Sequence, residues 1–116
     1  MARENMAIQQ IATTGLEPAY TAADQTDGHK FLNNGRIFIH VVNGATAANI
    51  TVTTPYTRDG LALDDLVVNV PASEDRMIGP FKPSTYSHPT GHADAGYVYV
   101  DVDDDSNVTL AVIQLP

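Results

Sequence analysis

At 116 residues, with 14 acidic residues against 6 basic and no cysteine, the chain has room for one domain and one core and has no disulfide to staple it. A formal charge of -8 with scattered cations excludes a phosphate-tracking basic stripe, so nucleic acid is not an expected partner. No apolar run approaches a membrane span, the opening MARENMAIQQ lacks the apolar core of a secretory leader, and a cysteine-free chain suits a reducing cytoplasm.

Helical periodicity is almost absent. β-Branched residues alternate with polar ones in short runs, and turn signals recur about every ten residues. Residues 1–12 read as an arm or a first strand, and 13–116 as a single β domain. Ala7–Thr13 and Ala19–Ala22 are faint strand candidates, and Lys30-Phe31-Leu32 leads into an Asn34-Gly35 turn. Arg36–Val42 is the clearest strand, set between Asn34-Gly35 and Asn43-Gly44, two pairs suited to positive φ. Asn49–Thr54 follows and stops at Pro55. Leu66–Val70 is closed by Pro71, and Arg76–Phe81 is interrupted at Gly79-Pro80. Gly96–Val102 alternates strictly, with Val98, Val100 and Val102 inward and Tyr97, Tyr99 and Asp101 outward. Asn107–Leu115 is the last strand. The sum is an all-β fold of about eight short strands, an antiparallel sandwich or a jelly-roll-like barrel. Lys82–Ala95 is the longest irregular stretch, and loops of that length in small domains are usually functional or mobile.

Two patterns raise the question of metal. Asp101, Asp103 and Asp105 stand at alternate positions, as at the start of a calcium loop. Such a loop needs Gly at its sixth position and Glu at its twelfth, where this chain has Ser106 and Val112. A hairpin turn between the last two strands is the expectation, and a structural cation the alternative. His88 and His92 have the spacing that aims two imidazoles at one metal from a helix, but Pro89 and Gly91 between them break a helix. A polar loop is expected there, with a loop-borne metal site as the alternative. His40 in its strand reads as a hydrogen-bonded, partly buried side chain. No nucleophile elbow, phosphate loop or dinucleotide fingerprint occurs, so no enzyme activity and no cofactor are expected.

The order of segments carries a resemblance. TGLEPAYTAAD is followed by HKFLNNGRIFIHVVNG, NITVTTP, LVVNVPASEDRMIGPFKPSTY and GYVYVDVDDDSNVTLAVIQL, from about Thr13 to Leu115. In this order the chain resembles small β-rich proteins of tailed-bacteriophage structural modules, of the capsid decoration (cement or auxiliary head protein) type. The resemblance implies a virion protein, made in the host cytoplasm, that sits on the outer capsid surface, binds the major capsid protein and stabilises the head. It implies no catalytic residue. Self-association as a trimer is the favoured oligomeric expectation. Alternatives are a head-completion or tail-associated protein, and a carbohydrate-binding module using Tyr97, Tyr99 and Asp101. The expected contact surface is the arm up to Gln10 together with Lys82–Ala95, represented by Met6, Ile8, Phe81, Tyr86, His88 and His92.

Overall fold

A computed structural model describes residues 3–104 and 106–115 of the chain. In chain order the strands are β1 (Glu4–Asn5), β2 (Ile8–Gln10), β3 (Thr21–Ala22), β4 (His29–Leu32), β5 (Ile37–Val42) and β6 (Ala48–Val52). They continue with β7 (Thr57–Arg58), β8 (Leu61–Ala62), β9 (Leu66–Val70), β10 (Asp75–Ile78), β11 (Tyr97–Val102) and β12 (Thr109–Gln114). One helical turn, α1 (Pro83–Tyr86), opens with its proline at the start, where a missing N–H costs nothing.

The strands form two five-stranded sheets and a small hairpin. Sheet A has the order β1-β4-β11-β6-β9, and sheet B the order β10-β5-β12-β2 with β3 also pairing β12. Among the described residues β7 and β8 pair only with each other, through a turn in which Asp59 (φ 53) and Gly60 (φ 79) both have positive φ. Period-two alternation explains the core. Ile37, Ile39 and Val41 of β5 point inward, as do Ala48, Ile50 and Val52 of β6 and Val98, Val100 and Val102 of β11. With Phe31, Leu110 and Val112 they form one hydrophobic cluster that both sheets share. β12 is central in sheet B, and its Leu110-Ala111-Val112-Ile113 run is buried throughout.

Three expectations need correction. The fold is β-rich, but its sheets are mixed rather than antiparallel. β1 runs parallel to β4, and β2 runs parallel to β12. The first residues therefore reach both sheets, and Met6 between the two strands is buried. The described residues also make twelve strands rather than about eight, because five of the pairing segments are only two or three residues long.

The last two strands do not form a hairpin. β11 lies in sheet A and β12 in sheet B, so the turn between them crosses from one sheet to the other. Asp103 accounts for the departure. Its backbone N–H donates to the Asn49 carbonyl (3.2 Å), and its carboxylate accepts from the Asn49 backbone N–H (2.7 Å) and amide (3.1 Å). These bonds tie the chain to the start of β6 just before it leaves the sheet.

The two Asn-Gly pairs also differ. Gly35 takes the expected positive φ of 86°, whereas Gly44 is not among the positive-φ glycines. There the buried Asn43 side chain does the work, its amide donating to the carbonyls of Thr46 (2.6 Å) and Val70 (3.0 Å).

Candidate functional site

The outer face of sheet A around β4 and β11 holds most of the polar residues singled out in the sequence. Arg3 donates from both guanidinium nitrogens to the Asp101 carboxylate, at 2.8 and 3.2 Å. Its Cζ also lies 4.1 Å from the Tyr99 ring centroid. The Tyr99 hydroxyl donates to Asp94, whose other oxygen accepts from Lys30 Nζ at 2.9 Å. Those two bonds, the Tyr99 bond first, hold the Asp94 carboxyl below its ordinary range. Desolvation, and then the hydrogen bond to the carboxylate, push the Tyr99 phenol up.

His88 packs its ring 4.0 Å from that of Tyr99, and the His92 ring is 4.4 Å from His88. Arg3 Cζ and the His88 ring thus both lie about 4 Å from the Tyr99 ring centroid, and Tyr99 is half-buried among residues of this chain. Lys30 Nζ lies 5.1 Å from the ring centroid of the neighbouring Tyr97.

The metal candidates are brought together only in part. His88 Nδ1 donates to the Tyr97 carbonyl (2.9 Å), while His92 Nδ1 accepts from the Asp94 N–H (2.9 Å). Asp101 is held by Arg3, and Asp103 by Asn49. Asp105 lies outside the described residues. Asp104 accepts from the Ser106 N–H (3.0 Å) and hydroxyl (2.8 Å), as turn acids do, and these bonds hold its carboxyl below its usual range. Among the described residues no three His, Asp or Glu side chains are gathered to hold a metal.

The expected contact residues separate by burial. Phe81 is 1% exposed and packs against Phe31 and Tyr86, with ring centroids 5.7 and 5.6 Å away. Met6 and His88 are each 6% exposed. Burial takes all three side chains away from any partner of the folded chain. Ile8 and His92 are exposed, and Tyr86 is half-buried. Lys82–Ala95 is pinned rather than loose. Asn33 donates to the Phe81 carbonyl (2.9 Å) and the Ser87 hydroxyl (3.0 Å), and the His88 N–H donates to the Tyr97 carbonyl (2.9 Å).

A second polar chain crosses sheet B. The Tyr20 hydroxyl meets His40 Nδ1 at 2.7 Å, and His40 Nε2 donates to Asp75 at 2.6 Å, which holds the Asp75 carboxyl below its usual range. This bears out the hydrogen-bonded reading of His40. No enclosed pocket opens beside either polar cluster among the described residues.

The surface that sequence reasoning missed is apolar. Leu61 is 72% exposed, Val67 57% and Leu63 37%, all on the β7–β8 hairpin and the adjoining start of β9. Asp59, Asp64 and Asp65 stand exposed among them. All three apolar side chains and the three acids fall within nine consecutive residues of the chain. The signal was present as GLALDDLVVNV, which breaks the alternation of apolar and polar residues. Compared with known proteins, the chain matches no family model, no curated protein and no solved structure.

Proposed function

We propose that this chain is a non-enzymatic virion structural protein of the capsid decoration type. In this reading it folds alone in the host cytoplasm and then binds the outer surface of the major capsid protein lattice. The observation that carries the reading is the exposure of Leu61, Leu63 and Val67 beside Asp59, Asp64 and Asp65 in one stretch of chain, on a body whose N-terminal strands pair with both sheets. A decoration protein needs that combination, a surface that is apolar enough to dock and a core that is stable before docking. The ordered segments that resemble phage decoration proteins supply the partner class. The -8 charge keeps the free chain soluble and matches basic patches on a shell. Repetition over a lattice lets a modest contact give large avidity. The two shared-core sheets are read as a sandwich of jelly-roll type.

The test is co-sedimentation of the purified chain with shells assembled from the cognate major capsid protein. Saturable binding at one copy per lattice position, with raised shell stability, is expected. A chain that stays in the supernatant, or that saturates at a few copies per particle, contradicts the reading and favours a head-completion or tail-associated role.

A further inference from the structure

We infer that the free edge of β9 is a strand-addition site that takes an extended, basic segment of the partner protein. The inference rests on the capsid-docking reading for the partner's identity, but its geometry is independent of that reading.

Main-chain direction carries the argument. Within β6, Asn49 uses both its N–H and its carbonyl on Asp103 (2.7 and 3.2 Å), and the N–H of Thr53, the residue just past the strand's end, donates to the Tyr99 carbonyl (3.1 Å). The odd-numbered residues of this strand therefore aim their main chain at the β11 side. The even-numbered ones aim at β9, so Ala48–Val70, Ile50–Val68 and Val52–Leu66 are the hydrogen-bonded pairs. Val67 and Asn69 consequently point their N–H and carbonyl groups away from β6, at the end of sheet A where the strand order stops. Two donors and two acceptors stand in a row at strand spacing.

The other sheet ends are blunted and this one is not. β1 and β2 have only two and three residues, and β10 carries Asp75 and Arg76. Short strands and charges are the usual protections of an edge. β9, LVVNV, has five residues, no charge and no proline, and its Val67 side chain is 57% exposed.

Charge selects the occupant. Asp64 and Asp65 stand at the N-terminal end of the edge, and Asp59 in the hairpin turn before it. An added strand with apolar residues over Val67 and lysine or arginine at its ends satisfies both the main chain and these carboxylates. A second copy of this chain brings the same -8 charge and the same carboxylates, which disfavours it.

The experiment measures amide hydrogen exchange of the full chain with two probes. One is a short capped peptide of alternating threonine and valine with lysine at both ends. The other is the cognate capsid shell. Protection of the Val67 and Asn69 amides by both is expected, weakening with salt for the peptide. Asn69→Pro removes an outward N–H without touching the β6 ladder and should weaken binding about tenfold or more, while Asn69→Ala leaves it unchanged.

Unprotected amides with the peptide overturn the inference whatever the shells do, and so does a Pro variant that binds shells like the wild type. A free chain that dimerises with those amides protected also overturns it, in favour of a second copy. Peptide protection without shell binding upholds the edge and removes the capsid reading.

Discussion

Arg3 and Asp101 lie 98 residues apart in sequence and close a two-bond ion pair across sheet A, with the guanidinium stacked on Tyr99. The pair has side chains 25% and 42% exposed, so solvent screening keeps its own worth to about 1 kcal/mol or less. Its larger meaning is where it puts the N-terminal segment. β1 pairs with β4, β2 pairs with β12, and Met6 fills the core between them.

The arm is therefore part of the folded body. Met6→Ala should cost about 2–5 kcal/mol by leaving a cavity, and Arg3→Ala should cost far less. Deleting residues 3–10 should lower the melting temperature sharply or abolish cooperative unfolding. Thermal melts followed by circular dichroism check all three. A truncated chain that melts like the full one contradicts the pairing of β1 and β2.

Acid should destabilise the fold through His29. This side chain is 1% exposed, and its Nε2 accepts from the Asp24 backbone N–H at 2.9 Å. The proton therefore sits on Nδ1, which faces Glu4 Oε1 at 3.9 Å without a hydrogen bond. Burial is the main cause that pushes the His29 pKa below its ordinary 6.5, outweighing the attraction of Glu4, Asp24 and Asp101, while Arg3 adds to the lowering. As pH falls through about 6.5 the unfolded chain takes up the proton and the folded chain does not, so stability drops from that pH downward. The drop ends once pH passes the folded-state value. In urea titrations across this range, His29→Gln should flatten the slope of stability against pH. An unchanged slope counts against a neutral, buried His29.

Gly79→Ala should be among the costliest small substitutions. Gly79 has φ +131°, and an added Cβ would stand 2.8 Å from the Cβ of Phe38 and 3.2 Å from the Ile37 carbonyl oxygen. Both the backbone conformation and the space are denied to alanine, for a loss of about 1–3 kcal/mol. Chemical denaturation gives the value directly.

Calcium should leave the melting temperature unchanged. Asp101 and Asp103 each already hold a protein donor, and their partners Arg3 and Asn49 lie on different strands or beyond strand ends. A rise in melting temperature with added calcium would mean that the 101–107 turn rearranges to bind it.

The sequence disclosed what depends on local alternation. Val98, Val100 and Val102 point inward because period two and β-branching leave them no other face, and Leu66–Val70 is a strand with the boundaries that Pro71 dictates. Pairing was less legible. Two strands joined by Asp-Ser-Asn look like a hairpin whether they share a sheet or not. The bonds between Asp103 and Asn49 that decide the matter join residues 54 apart. β1 and β2 are too short to show a period, and nothing in MARENMAIQQ set Met6, which is buried, apart from Ile8, which is exposed. Lys82–Ala95 has the composition of a loop, yet its order comes from Asn33 and the Tyr97 carbonyl, contributed from outside the segment. Tyr99 looked like an exposed platform because its covering groups, Arg3 and His88, are remote in sequence or hidden in that loop.

A reconstruction of the cognate particle tests the central claim most directly. The account predicts density for this chain at every equivalent position of the outer capsid lattice, with β9 and the Leu61–Val67 strip against the major capsid protein. A lattice bare of this chain, or density confined to the neck or tail, would contradict it.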